Sequence, residues 1–375
     1  MQTDTLTLLP ATPGVLHRLT VHRFGTPGRG PKATIQAALH ADETPALLVA
    51  QRLKAALTAL EAGGAVLGEV VLLPLANPIG LAQQTLGQHQ GRFDQRDGLN
   101  FNRAYADLGA AVLPGLAGRL GADAEANTRT VRQALLAAAR ALPATTPTED
   151  LKRQLLTLAV DADVVLDLHC DAEACLHLYA LTPQAALAEE LGALVGARAI
   201  LLATESGEHP FDEACSAPWL RVQQAFPQAP LPLACFSTTV ELRGQADTRH
   251  DWAEQDAQAL LAFLQRRGVL APPAGAPQPS LPPAACEATP LAASETITAP
   301  HAGVVVFHRE PGSTVAAGEV VADLVCVDTG QVQPLRSQSA GVLYARMASR
   351  WAWPGTRVAK VAGRTLQRSG PLLGP

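Results

Sequence analysis

Short apolar runs alternate with longer amphipathic stretches between about residue 34 and residue 268. The short runs predict buried strands, and the longer stretches repeat their apolar residues at helical spacing. Strands and helices that alternate in this way favour an α/β fold with a largely parallel sheet. The predicted strands are residues 34–39, 70–75, 164–168, 199–203 and 236–240, and the predicted helices run from Pro45 to the Gly63-Gly64 pair and over residues 123–141, 148–158 and 252–267.

Residues 271–290 are rich in proline and small residues, a composition that sustains neither a helix nor a central strand. Beyond this segment the helical pattern disappears, and short β runs separated by glycine turns predict a small all-β domain. The predicted organisation is an α/β domain over residues 1–270, a linker over 271–290 and an all-β domain over 291–375. The first 30 residues are expected to add a strand or hairpin to the α/β domain.

The composition narrows the range of partners. The 29 basic and 34 acidic residues give a net charge of -5 and are spread along the chain, which argues against nucleic acid and against an anionic membrane surface. The six cysteines form no CxxC pair and are expected to be reduced thiols. No signal-peptide pattern and no long apolar stretch is present. We therefore expect a cytoplasmic enzyme, with homo-oligomerisation left open.

His40 and Glu43 follow the strand predicted at residues 34–39, just before the helix expected to begin at Pro45. Ligands in open α/β sheets collect at the carboxyl ends of strands. An imidazole and a carboxylate three residues apart on a tight turn can reach one cation, and zinc accepts both. The same turn is compatible with a helix N-cap, in which Asp42 or Thr44 caps the helix and Glu43 lies near its positive end.

His169 and Glu241 end two further predicted strands. Asp167 lies two residues before His169 on the same strand face, where it could accept a hydrogen bond from the other ring nitrogen. Glu241 could take a proton from a metal-bound water and pass it to a leaving amine. The alternatives are a histidine with a purely structural role and an ion pair between Glu241 and Arg243.

The polar, glycine-rich stretch at residues 77–105 contains Arg92, Arg96, Asn102 and Arg103. The planar guanidinium of arginine suits bidentate capture of a substrate carboxylate, and a second arginine can stabilise the oxyanion formed at an attacked carbonyl. The alternative is a solvated loop, since arginines in loops usually face water.

These four elements, in this order, resemble the succinylglutamate desuccinylase and aspartoacylase family, a branch of the carboxypeptidase A-like zinc hydrolases. The resemblance covers roughly residues 30–250 and is carried by HADE at residues 40–43, DLH at 167–169 and TVELR at 239–243. It implies a mostly parallel mixed sheet flanked by helices. It also implies one zinc ion per chain, held by His40, Glu43 and His169, with Glu241 as the general base.

The resemblance also assigns roles within the polar stretch. Asn102 and Arg103 match the pair that grips the substrate carboxylate, and Arg92 matches the arginine that polarises the scissile carbonyl. The sequence reads HADE where many members have HGNE, which keeps both ligands. It reads GLNFNR where D-L-N-R is usual, and the longer gap between Arg92 and Asn102 leaves Arg96 as an alternative to Arg92.

The C-terminal segment resembles the barrel-sandwich fold of biotinyl and lipoyl domains. The hairpin that would carry the modified lysine, residues 326–341, contains no lysine, which argues against a carrier function. We expect this domain to cover one side of the active site, as in aspartoacylase-like proteins. His177, His209 and His301 are expected not to be ligands, and residues 208–219 are interpreted as a polar loop that could help line the pocket.

The sequence therefore predicts a zinc-dependent deacylase that hydrolyses an amide in a small N-acyl amino acid or a similar carboxylate-bearing molecule. A zinc carboxypeptidase acting on peptide C-termini is the alternative enzyme, because the same clamp would serve both. A non-catalytic binding protein on the same fold is the alternative from another class.

Overall fold

The structure, a computed structural model, describes residues 1–273, 275–370 and 372–373. Up to residue 290 its strands are β1 (Gln2–Thr7), β2 (Arg18–Gly25), β3 (Lys32–Ala37), β4 (Glu69–Leu73), β5 (Gln84–Thr85), β6 (Gln88–His89), β7 (Val164–Asp171), β8 (Glu173–Ala174), β9 (His177–Leu181), β10 (Ala199–Ala203), β11 (Phe236–Gly244) and β12 (Ala288–Pro290). Its helices are α1 (Pro45–Ala62), α2 (Pro78–Leu81), α3 (Leu108–Leu116), α4 (Ala124–Arg140), α5 (Pro147–Ala159), α6 (Ala185–Val195), α7 (Phe211–Ala225) and α8 (His250–Arg266).

Within the described residues, nine strands form one mixed sheet in the order β1-β2-β4-β3-β7-β11-β9-β10-β12. The centre is parallel, because β3 pairs in parallel with β4 and with β7, and β7 pairs in parallel with β11. β2 joins β4 and β9 joins β11 in the antiparallel sense. The predicted α/β class with a mostly parallel mixed sheet is confirmed.

Helices cover both faces of this sheet. On one face, α1, α6 and α8 bury residues such as Leu53, Leu191 and Leu260 against the strands. On the other face, α3, α4, α5 and α7 bury residues such as Leu135 and Trp219. Every residue of β4 is buried, as expected for a strand with helices on both sides.

The predicted strands correspond to β3, β4, β7, β10 and β11, with ends that differ by a few residues. α1 begins at Pro45 and is followed by Gly63, as predicted, and the other three predicted helices correspond to α4, α5 and α8. The sequence analysis did not predict β9, α3, α6 or α7. The interpretation of residues 208–219 as a loop is wrong, because α7 begins at Phe211 and buries Phe211, Cys215 and Trp219 along one face.

The C-terminal strands are β13 (Ser294–Thr298), β14 (Gly303–Phe307), β15 (Thr314–Val315), β16 (Val320–Val325), β17 (Val332–Arg336), β18 (Gly341–Arg346), β19 (Trp351–Ala352) and β20 (Arg357–Ala362). They form two antiparallel sheets, β13-β20-β18-β15 and β17-β16-β14-β19, around a core of their own. A separate antiparallel C-terminal region is thus present, as predicted.

The C-terminal strands contact the preceding part of the chain at several points. β8 pairs with β18, and Glu173 of β8 forms ion pairs with Arg346 and Arg350. β12 pairs with β10, although its residues lie inside the predicted linker. The domain limits at residues 270 and 290 therefore remain a prediction.

The described residues contain no helix that is both long enough and apolar enough to cross a membrane. All six cysteines are free thiols, in agreement with the prediction.

Candidate metal centre and active-site pocket

The parallel centre of the sheet brings the candidate residues to one edge. His40 and Glu43 lie in the connection between β3 and α1, and His169 lies near the carboxyl end of β7, the parallel neighbour of β3. Glu241 lies near the carboxyl end of β11, directly opposite His169 in the pairing of β11 with β7. Residues that are far apart in the sequence thus meet because parallel strands end at the same edge.

Glu43 lies between the two histidines. Its Oε1 is 2.9 Å from His40 Nδ1, and its Oε2 is 2.8 Å from His169 Nδ1. All three side chains are buried, and one ligand atom from each lies within 4.8 Å of the others. Among the described residues, this is the one group of three such side chains close enough to hold a metal ion.

The outer nitrogens of both rings are held by oxygen atoms. His40 Nε2 is 2.9 Å from Asn100 Oδ1, which also accepts the backbone N–H of Asn102, so this atom is an acceptor. His169 Nε2 is 2.9 Å from Asp167 Oδ2. In its neutral form, each ring that makes these contacts carries its proton on Nε2 and turns the Nδ1 lone pair towards Glu43. Two imidazole lone pairs and a carboxylate that face one another fit a divalent cation.

The electrostatics of this cluster favour added positive charge. Burial opposes ionisation of Glu43, but the adjacent His40 and His169 hold its pKa well below the usual range. Burial likewise opposes protonation of His169, but Asp167 and Glu43 on its two sides hold its pKa well above the usual value. The carboxylate stays ionised and the cluster attracts a cation.

The contacts of Glu43 and Arg243 bear on two alternatives from the sequence analysis, a helix N-cap around Glu43 and an ion pair between Glu241 and Arg243. Thr44 makes no side-chain capping bond to α1, and Glu43 faces the two histidines. Arg243 forms a bidentate pair with Asp256, with both N–O distances 2.8 Å. Glu241 is thus not paired with Arg243, and its buried Oε2 has no hydrogen-bond partner among the residues that the structure describes. Burial and the neighbouring charge of Glu43 raise the pKa of Glu241 to about 8.

Arg92, and not Arg96, lies at this cluster. Arg92 Nη1 is 3.2 Å from Glu43 Oε1, whereas Arg96 pairs on the surface with Asp94 and Asp97. Gly91 makes the approach of Arg92 possible, because a Cβ at this position would lie 2.2 Å from the backbone nitrogen of residue 42.

Asn102 and Arg103 are both buried and line the same pocket. Asn102 Oδ1 accepts the backbone N–H of Phe211 at 2.8 Å, which ties this loop to the start of α7. Arg103 Nη1 donates to the carbonyl of Asn102 at 2.7 Å, and its Nε lies 3.6 Å from Glu208. Burial and the nearby charge of Arg92 lower the pKa of Arg103.

Several residues around the site were not identified from the sequence. Asn100 and Lys152 contact residues that are distant in the sequence. Asn100 Oδ1 accepts a hydrogen bond from His40 Nε2, and Lys152 Nζ donates one to the backbone carbonyl of Arg103 at 2.6 Å. Burial lowers the pKa of Lys152 to about 8. No local motif signals these roles, since each depends on a contact across about 50 residues or more.

The pocket has a volume of about 400 Å³ and lies between the sheet edge and the C-terminal strands. From the C-terminal strands, Lys360 and Arg357 reach its lining. Lys360 Nζ pairs at 2.6 Å with Oδ2 of Asp171, the last residue of β7. The C-terminal region thus supplies one wall of the pocket.

Comparison with known proteins agrees with this geometry. Residues 29–267 match the model of the succinylglutamate desuccinylase/aspartoacylase catalytic domain. The chain belongs to this family. No curated protein sequence matches it.

Solved structures of family members match the chain over nearly its whole length. A succinylglutamate desuccinylase/aspartoacylase family protein from Shewanella amazonensis SB2B is 28% identical, with a TM-score of 0.84 over 96% of this chain and 98% of that one. A second, from Shewanella frigidimarina NCIMB 400, is 26% identical, with a TM-score of 0.84 over 96% and 97%. The ectoine utilization protein EutE (DoeB) from Ruegeria pomeroyi shares the fold at 18% identity, with a TM-score of 0.64 over 97% of each chain.

In this family member, backbone strain concentrates near the site. Ala38, Ala104 and Arg243 adopt positive φ angles of 59°, 54° and 73° although none is glycine. Each is within three residues of His40, Arg103 or Glu241. Such conformations persist only where surrounding contacts enforce them, and they are frequent at functional sites.

If the cluster holds a divalent ion such as zinc, Asp167→Asn should weaken its binding by about ten- to hundredfold. Asp167 accepts hydrogen bonds from Gln36 Nε2 and from His169 Nε2, both at 2.9 Å, and asparagine offers only one acceptor oxygen for the two donors. Competition with a chromogenic chelator would measure the affinity. Asp328→Asn, an exposed change in the C-terminal region, is the matched control. Equal zinc affinity in both variants would show that Asp167 does not orient His169.

Proposed function

We propose that this protein is a zinc-dependent hydrolase that cleaves the amide bond of a small N-acyl amino acid or a similar carboxylate-bearing substrate. The observation that carries the proposal is the cluster of His40, Glu43 and His169 with Glu241 beside it at the same sheet edge. Family membership supports hydrolase chemistry of the desuccinylase and aspartoacylase type.

His40, Glu43 and His169 would hold the zinc, with His40 and His169 binding through Nδ1. Zinc, when bound, acidifies a water molecule and polarises the scissile carbonyl. Asn100 and Asp167 keep the two imidazole rings oriented through their Nε2 atoms. Holding the rings in one tautomer and one orientation limits the reorganisation that binding requires.

Glu241 is the proposed general base. It accepts a proton from the attacking water and returns it to the leaving amine, which requires a carboxylate that is not committed to another partner. The orphaned Oε2 of Glu241 meets this requirement, since Arg243 is paired with Asp256 instead.

Arg103 and Asn102 are the proposed clamp for the substrate carboxylate, and Arg92 is the proposed donor to the carbonyl oxygen. The depressed pKa of Arg103 supports the assignment, because a buried guanidinium next to a second cation gains from an added anion. Arg92 lies within 3.2 Å of the ligand Glu43, where an oxyanion formed next to the metal could accept its hydrogen bond.

The C-terminal wall favours a small substrate over a peptide. Lys360 and Arg357 of the C-terminal strands line the pocket, and its volume of about 400 Å³ suits one acylated amino acid. A carboxypeptidase needs an open path for the rest of the peptide chain. A non-catalytic binding protein would not need an uncommitted carboxylate at the position of Glu241.

A substrate screen tests the proposal. Zinc-loaded protein should release free amino acid from N-acetyl or N-succinyl amino acids and lose this activity with a chelator, while acting poorly on tri- and tetrapeptides. Preferential cleavage of peptides would establish the carboxypeptidase alternative. Zinc binding with no hydrolysis of either class would support the binding-protein alternative.

Glu241→Gln should keep the fold and the zinc but reduce kcat by at least about a hundredfold, because glutamine keeps the shape and loses the proton acceptor. Glu254→Gln, an exposed change on α8, is the matched control and should keep full activity. Steady-state kinetics together with zinc content would decide. A near-normal kcat in Glu241→Gln would assign the base to another residue.

Arg103→Lys should lower kcat/KM for a carboxylate-bearing substrate, because lysine keeps the charge but loses the planar pair of donors. The loss should be at least about tenfold, in the range of one charged hydrogen bond. An analogue with an amidated carboxylate should be affected much less. Unchanged kcat/KM, or equal losses for both molecules, would exclude Arg103 from the clamp. Arg129→Lys on the exposed side of α4 serves as the control.

A further inference from the structure

A buried lysine on α5 contacts the turn that carries the proposed clamp. Lys152 is only 8% exposed, and its Nζ donates to the backbone carbonyl of Arg103 at 2.6 Å and to that of Asn100 at 3.4 Å. The backbone N–H of Arg103 donates to the same carbonyl of Asn100 at 3.3 Å, which closes a turn over residues 100–103. Lys152 therefore holds both ends of this turn.

The ammonium group of Lys152 forms no ion pair with a carboxylate in the described part of the chain. Besides the two carbonyls, its Nζ lies 5.4 Å from the centre of the Tyr105 ring. Burying an ammonium group without a counter-ion is unfavourable unless its hydrogen bonds compensate. A charged donor binds a carbonyl about twice as strongly as a neutral one. The charge of Lys152 therefore holds the turn more firmly than a neutral side chain could.

Strained backbone follows the turn directly. Ala104 has a φ of 54°, and its N–H donates to the carbonyl of Glu208 at 2.6 Å, a residue whose own φ is 61°. Residues other than glycine keep such angles only where surrounding contacts enforce them. The hydrogen bond from Lys152 to the carbonyl of Arg103, the group next to Ala104, is one of these contacts.

We propose that Lys152 is a positioning residue for the clamp: its ammonium group fixes the backbone of residues 100–103, so that Asn102 and Arg103 can reach the substrate carboxylate. This inference rests on the proposed function, which assigns the clamp to these two residues. Lys152 does not line the pocket and acts through the turn. Loss of its charge should therefore weaken the recognition of a carboxylate more than that of an uncharged group at the same position.

The charge of Lys152 changes within an accessible range of pH. Burial lowers the pKa of Lys152 to about 8, while Asp97 and Asp94 on the loop and Glu149 on α5 partly oppose this effect. The ammonium form prevails below about pH 8 and is lost as the pH rises above it. Selectivity for a carboxylate should therefore be high at pH 7 and lower at pH 9.

Two ligands that differ only at the carboxylate measure this selectivity. N-acetyl-L-alanine carries the carboxylate, and N-acetyl-L-alaninamide replaces it with a neutral amide. Calorimetry with zinc-loaded Glu241→Gln protein, which should not turn them over, gives the ratio of the dissociation constant of the amide to that of the acid. This ratio should fall at least about fivefold between pH 7 and pH 9, within the range of one charged hydrogen bond. Titration elsewhere in the site acts on both ligands and cancels in the ratio.

Lys152→Met, added to the same protein, keeps the length of the side chain and removes the charged donor. The ratio at pH 7 should be at least about fivefold below that of the parent protein and should no longer change with pH. Lys54→Met, the same substitution on α1, is the matched control and should keep the ratio of the parent. Equal weakening of both ligands by Lys152→Met would assign Lys152 a general structural role and overturn its link to the clamp.

Hydrogen exchange separates this inference from the proposed function, because it needs neither a substrate nor turnover. In zinc-loaded protein, the backbone amides of residues 101–104 should exchange at least about tenfold faster in Lys152→Met than in Lys54→Met, while those of β7 keep their protection. Wild-type protein at pH 7 and pH 9, corrected for the intrinsic exchange rate, gives the same test without a variant. If no acylated amino acid is bound or hydrolysed, the proposed function fails, and the exchange still decides whether Lys152 holds the turn. Unchanged exchange in both comparisons would overturn the proposal.

Discussion

The convergence of Glu43 on two imidazole lone pairs is the constraint on which the site depends. Both oxygens of Glu43 face Nδ1 atoms, and a neutral imidazole whose Nε2 proton is held by Asn100 or Asp167 has no second proton to donate there. A cation at the centre of these acceptors would stabilise the arrangement. The parallel order of β3, β7 and β11 makes this arrangement possible, because it brings three separate strand ends to one edge.

The surrounding charges are arranged around this centre. On one side lie the cations of Arg92 and Arg103, the proposed partners of a developing oxyanion and of a substrate carboxylate. On the other side, Lys360 from the C-terminal strands lines the pocket. Its positive charge is balanced by the ion pair with Asp171. Residues of the C-terminal strands thus line one side of the pocket.

Site residues that follow a predicted strand could be identified from the sequence. Residues whose role depends on a contact with a distant part of the chain could not. His40, Glu43, His169 and Glu241 could be identified because each follows an apolar run, and the structure brings them together. Asn100 could not, because its role depends on His40, 60 residues away. α7 was not predicted from the sequence, because its first turn is charged and it contains a proline. Its buried residues nevertheless recur at helical spacing. β3 ends at Ala37, two residues earlier than predicted, because Ala38 takes a positive φ.

The most direct test of the account is anomalous diffraction at the zinc edge from crystals of protein purified without chelator. The account predicts one peak per chain, about 2.0 to 2.2 Å from His40 Nδ1, His169 Nδ1 and a carboxylate oxygen of Glu43. A zinc peak at another position, coordination through Nε2 of either histidine, or no peak in crystals grown with added zinc would contradict it.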